Sequence, residues 1–242
     1  TPDIRVADVE FNTQNIINAM EEAQKNGAKI LVFPELCVTG YTCSDLFDHS
    51  VLLKASRKAL LEIAENTNDK DMLVFVGAPL EVNGKLYNVA AAMNQGEIIG
   101  FTTKTFLPNY GEFYEARHFA RGMKQVEETQ FLPELRLPIG TGQIFCCDQM
   151  PELRVAAEIC EDLWTPQPPS IAHALAGANV IVNLSASDET TGKDRYRTAL
   201  VAGQSARLLC GYVYASAGDG ESTQDVVYSG HNIIAENGTV LK

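Results

Sequence analysis

Short, almost wholly apolar runs alternate along this chain with longer segments whose apolar residues recur at helical spacing. That alternation restricts the fold more than any other feature. AKILVF (28–33), closed by Pro34, and MLVFVGAP (72–79) are such runs, and they suit strands covered on both faces, because a strand with one wet face alternates polar and apolar residues. Before the first run, Ile16, Ile17, Ala19, Met20 and Ala23 sit at helical spacing. They predict a helix over 14–26 with Thr13 as N-cap and Gly27 just past its end. Leu53, Leu60, Leu61 and Ile63 predict a second helix over about 44–66.

From residue 83 the period switches to two. Asn83-Gly84 marks a hairpin turn, LYNVAAAM (86–93) a strand, NQG (94–96) a turn and EIIGFTTK (97–104) a strand. Residues 107–143 read as mostly loop. LRVAAEIC (153–160) and NVIVNLSAS (179–187) are further buried strands, separated by a short helix over 168–177 with Pro at its start and Gly at its end. A helix over 193–208, a strand over 211–216 and a strand over 231–237 complete the pattern. No internal repeat or Gly/Ser linker divides it, so one domain over 1–242 is expected. Helices interleaved with buried strands, plus a hairpin meander, predict an α/β layered domain with mixed sheets.

Composition narrows the function. With 45% hydrophobic residues in 242, the chain can bury a sizeable core. Its net charge of −12 argues against nucleic acid or an anionic membrane as a partner. The cysteines at 37, 43, 146, 147, 160 and 210 form no CxxC pair and read as reduced thiols. No run of 18 apolar residues and no secretory signal is visible, so a cytoplasmic protein is expected. His49, His118, His173 and His231 show no metal-ligand spacing, and no GxxxxGK[ST] or GxGxxG is present. The chain opens at Thr1 and closes on NGTVLK directly after a turn signal, which predicts a piece of a longer polypeptide.

In layered α/β folds ligands gather at the carboxyl ends of strands. Glu35 follows LVFP, Lys104 ends EIIGFTTK and Cys160 ends LRVAAEIC. A carboxylate, an ammonium and a thiol brought together supply a base, a cation and a nucleophile for attack on a carbonyl or nitrile carbon. Taken singly, each has a plainer role: a solvated loop carboxylate, a strand-edge charge and a small buried hydrophobe. Glu161 and Asp162 would raise the pKa of an adjacent thiol, so a thiolate at Cys160 needs a cation, and Lys104 is the candidate.

VFPELCVTGY (32–41), GFTTKTFLPNYGEFYEARHF (100–119) and AAEICEDLWTP (156–166), in this order and at these separations, resemble the nitrilase superfamily of carbon–nitrogen hydrolases. CEDLW together with NLSAS (183–187) is most similar to the glutaminase domain of glutamine-dependent NAD synthetases. The resemblance implies a four-layer αββα sandwich, commonly assembled into homo-oligomers, and a catalytic set of Glu35, Lys104 and Cys160. It further implies a supporting role for Glu115, an oxyanion donor in the backbone N–H of Glu161, and a glutamine pocket lined by Tyr41 and Phe113, with Ser187 and Lys193 at the α-amino and α-carboxylate ends. Arginine is expected where Lys193 stands, and a lysine lacks the bidentate fork. Glu115 has a plainer alternative, a loop ion pair with Arg117 or Arg121. No metal or organic cofactor is implied here; ATP and Mg²⁺ would belong to a C-terminal synthetase domain that receives the ammonia. A stand-alone amidase or nitrilase acting on another small amide, and a silent binding module, are the competing readings. If the three catalytic groups lie beyond hydrogen-bonding reach of one another, the binding module gains.

Overall fold

The computed structural model describes residues 1–221 and 226–242. The first helix, α1 (Val9–Lys25), begins earlier than its apolar spacing predicts. Its N-cap is Asp8, whose carboxylate accepts from the Phe11 N–H at 3.1 Å, while Thr13 lies inside the helix and donates its hydroxyl to the Val9 carbonyl at 2.6 Å. A capping carboxylate satisfies an amide that the helix leaves unpaired. The segment 44–66 is not one helix: a 3₁₀ turn over Ser44–Asp48 precedes α2 (Ser50–Glu65), and His49 between them is extended.

The strands form two six-stranded mixed sheets. The first holds β1 (Ile30–Val32), β2 (Leu73–Val82), β3 (Lys85–Asn94), β4 (Glu97–Thr103), β5 (Glu127–Leu132) and β6 (Leu135–Ile139), in the order β1-β2-β3-β4-β6-β5. The second holds β7 (Phe145–Cys146), β8 (Arg154–Ile159), β9 (Val180–Ser185), β10 (Gly211–Ser216), β11 (Ile233–Glu236) and β12 (Thr239–Val240), lying side by side in reverse order. The remaining helices are α3 (Glu115–His118), α4 (Glu161–Trp164), α5 (Pro169–Leu175) and α6 (Lys193–Leu208). Residues 107–143, read from sequence as loop, therefore contain α3 and the β5–β6 hairpin. That hairpin packs one face only: Thr129, Phe131, Leu137 and Ile139 are buried amid a Glu- and Pro-bearing segment whose composition hides the strand period.

Layering follows from which faces are apolar. Ile16, Met20, Leu60 and Ile63 of α1 and α2 pack on Val74, Val76, Val89 and Ala91 of the first sheet. The opposite face of that sheet presents Phe75, Ala90 and Ala92 to Val155, Ala157, Ile159, Val182 and Leu184 of the second sheet. Behind the second sheet, Ile181, Tyr212 and Ala235 meet Val201 of α6. The result is the αββα sandwich that the motifs imply, with small residues setting the distance between sheets.

Two local features aim the chain at the site. After β1, residues 34–38 cross β2 at Gly77, where a Cβ would stand 2.4 Å from both the Leu36 nitrogen and the Pro34 oxygen. Glu35 donates its N–H to the Ser185 carbonyl of β9 at 3.3 Å, so the crossing carries Glu35 from the first sheet to the end of the second. Only a residue without a side chain permits that approach.

Candidate active site

Glu35, Lys104, Glu115 and Cys160 are all buried. The Lys104 ammonium donates to Glu35 Oε1 at 2.6 Å and to Glu115 Oε1 at 2.5 Å. Glu35 Oε1 also accepts from the Asn88 amide at 2.6 Å, and its Oε2 from the Ala186 N–H at 2.9 Å. Tyr41 donates its hydroxyl to Glu115 Oε1 at 2.8 Å. Glu115 thus pairs with Lys104, and the ion pair with Arg117 or Arg121 open from sequence is not the one formed; Arg117 lies 3.4 Å from Asp45 instead.

Charge balance explains how these groups coexist without water. Burial alone would lower the Lys104 ammonium, but the carboxylates of Glu115 and Glu35 override it and hold Lys104 well above the usual lysine range. Glu115, buried and facing Glu35, is pushed up to about 7. One cation therefore faces two carboxyls, and the burial of Glu115 favours its protonated form.

Cys160 closes β8 and precedes α4 with φ 45° and ψ −101°, a backbone that side-chain-bearing residues seldom adopt. Its N–H is held by the Leu184 carbonyl at 3.0 Å and by Asn183 Oδ1 at 3.2 Å. Burial first, then the Glu35 charge, raise the thiol above its ordinary value, while Lys104 and the Ala186 N–H act in the opposite direction. The Ala186 N–H that bonds Glu35 is thus also among the groups that lower the thiol. Glu161 is the first residue of α4, where helical N–H groups lack partners within the helix; its carboxylate accepts from the Tyr110 hydroxyl at 3.1 Å.

A cavity of about 340 Å³ adjoins the cluster, with Tyr41, Phe113, Glu115 and Tyr228 in its wall. Tyr228 stacks edge-on against Tyr41, 6.2 Å between ring centres, and its buried hydroxyl has no hydrogen-bond partner among the described residues. Ser187 and Lys193 are not among its described walls. Ser187 takes a hydrogen bond from Arg197 at 3.3 Å, and Lys193 pairs with Asp188 and stands 5.4 Å from the Trp164 ring centre. A wider groove of about 810 Å³ along α6 shares no lining residue with the cluster. Asp45, Asp48 and His118 bring possible ligand atoms within 4.8 Å, but both acids are exposed.

The sequence reading missed Asn88, Ala186 and Asn183. Asn88 and Asn183 did leave a trace: each is an amide inside an otherwise apolar buried run, and a buried polar side chain needs partners.

A sandwich with a carboxylate, an ammonium and a thiol buried at its strand ends suits a carbon–nitrogen hydrolase, and the chain belongs to that family, whose model it matches over residues 1–242. It is 38% identical over 236 residues to a glutamine-dependent NAD(+) synthetase of Mycobacterium bovis, covering 98% of this chain and 35% of that protein. The crystal structure of a glutamine-dependent NAD(+) synthetase from Cytophaga hutchinsonii superimposes with a TM-score of 0.89 at 32% identity, over 100% of this chain and 39% of that one. A nitrilase-superfamily amidase from Nesterenkonia shares the fold, with a TM-score of 0.79 at 19% identity over 100% of this chain and 83% of that one. The chain therefore spans about a third of the length of the curated relatives it matches. Among the described residues, no helix is long and apolar enough to cross a membrane.

Proposed function

We propose that this chain hydrolyses the side-chain amide of glutamine and delivers ammonia to an NAD synthetase domain of the same polypeptide, where nicotinic acid adenine dinucleotide is amidated. The observation that carries the reading is the buried chain of Lys104 between Glu35 and Glu115, with the raised thiol of Cys160 beside it. A thiol kept protonated by burial needs a base at hand, and Glu35 is that base.

In the proposed sequence Glu35 takes the thiol proton as sulfur attacks the carboxamide carbon. The Lys104 ammonium and the Glu161 N–H stabilise the tetrahedral oxyanion; loss of one such donor typically costs on the order of 10²–10³ in rate. Glu35 returns the proton to the leaving nitrogen, ammonia departs, and a thioester remains. Water, deprotonated by Glu35, then cleaves the thioester to glutamate, and the proton returns to sulfur. Glu115 keeps Lys104 charged and placed. Tyr41 and Phe113 line the side-chain pocket. Ser187 and Lys193 take the α-amino and α-carboxylate ends, Lys193 as a point charge shared with Asp188.

The domain uses no cofactor of its own; ATP and Mg²⁺ serve the synthetase reaction. The chain acts as a single domain of a cytoplasmic homo-oligomer. A glutamine-mimicking electrophile should add one covalent adduct at Cys160 in the full-length enzyme, read by intact mass and peptide mapping. Labelling at other thiols, or none, overturns the assignment. Turnover of other small amides with glutamine ignored would replace the substrate.

A further inference from the structure

Lys104 directly follows β4 of the first sheet, whereas Cys160 follows β8 of the second. Between the two sheets lies an apolar layer of Phe75, alanines and aliphatic side chains. Such packing is non-directional, so by itself it does not fix how far one sheet slides over the other. A directional link is present at the site. Asp162, wholly buried in α4, accepts the Phe106 N–H at 2.8 Å and the Thr105 N–H at 3.0 Å on Oδ1, and the Ile159 N–H at 3.0 Å on Oδ2. Thr105 and Phe106 directly follow Lys104, and Ile159 directly precedes Cys160. One carboxylate therefore ties the backbone on the lysine side to the backbone on the cysteine side.

We propose that Asp162 is a positioning residue that sets the placement of the Lys104 ammonium relative to the Cys160 thiol by bracing the two sheets at their active-site ends. The proposal rests on the reading of Cys160 as nucleophile and Lys104 as oxyanion donor. Both oxygens of Asp162 accept, which suits three converging N–H groups; burial raises its pKa well above the usual aspartate range, and the Ile159 and Phe106 N–H groups pull the other way. An amide of the same size turns one acceptor into a donor aimed at an N–H, so the brace opens on one side. Displacement of reacting groups by about 1 Å can lower a rate about 100-fold.

The test is Asp162→Asn in the full-length enzyme, with Asp162→Glu, which keeps the charge and both acceptors but adds a methylene, as the second variant. In folded variants, checked by circular dichroism, glutaminase kcat should fall about 10- to 100-fold with KM for glutamine within about threefold. Iodoacetamide labelling of Cys160 should slow by a similar factor, while exposed Cys146 labels at the wild-type rate. A folded variant with kcat and Cys160 labelling within about threefold of wild type overturns the proposal, as does a loss that only follows the unfolded fraction. Cys160→Ala separates the two readings: if it retains glutaminase activity, the nucleophile assignment itself has failed, whereas an inactive Cys160→Ala beside an unaffected Asp162→Asn removes only the brace.

Discussion

Glu115 shows how a single residue can tie stability to pH. Burial first, then the Glu35 charge, push it up to about 7, against the pull of Lys104 and Tyr41. A free glutamate titrates near about 4.3, so between that pH and about 7 the folded chain keeps a proton that the unfolded chain has released. Its stabilising contribution is complete below about pH 4.3 and is lost as pH rises through about 7. Glu115→Gln cannot ionise and removes this dependence. Urea midpoints of the wild type should therefore decline relative to Glu115→Gln between pH 5 and 8; a constant offset between the two curves would contradict the raised value. From sequence, Glu115 had two roles in view, because a loop glutamate near Arg117 and Arg121 also reads as a surface ion pair. Its pairing with Lys104 depends on α3 turning inward against Tyr41, a contact across 74 positions of sequence.

At the scale of elements, the crossing of residues 34–38 over β2 decides where Glu35 points. Gly77→Ala places a Cβ 2.4 Å from backbone atoms of Leu36 and Pro34, which cannot swing aside as a flexible side chain would. The crossing must lift, and with it the hydrogen bond from Glu35 to the Ser185 carbonyl. Overpacking of this kind costs about 1–3 kcal/mol, so melting should drop by several degrees and glutaminase activity by at least about tenfold; an active variant with unchanged melting would refute the crossing as the aiming device. The strands that meet here were legible in sequence because they are continuous apolar runs. The β5–β6 hairpin was not, since one buried face of a polar edge pair gives too weak a period. The break at His49 was equally hidden, because a 3₁₀ turn and an α-helix share nearly the same apolar spacing.

For the whole molecule, the alanine-rich layer between the sheets sets the separation across which the site is assembled. Ala157 lies in that layer, fully buried against residues of both sheets. Ala157→Leu should lower stability by about 1–3 kcal/mol, the usual cost of added methylenes in a packed core, and should reduce Cys160 labelling by parting Lys104 from the thiol. The same leucine at exposed Ala199 of α6 should do neither; equal effects at both positions would show the layer to be unremarkable. Thermal melts and labelling rates distinguish these outcomes.

Local order along this chain follows from its sequence. Apolar runs, helical spacing and turn residues set most of the elements, and the motifs around Glu35, Lys104 and Cys160 pointed to carbon–nitrogen hydrolysis, because these signals depend on neighbours within a few residues. Tertiary structure alone decided that Lys104 stands between two carboxyls, that Asn183 holds the Cys160 amide, and that Asp162 bonds both strand ends. Those partners lie far apart in sequence, and the hydrogen bonds between them exist only once the apolar layers have packed and excluded the water that would otherwise satisfy each group.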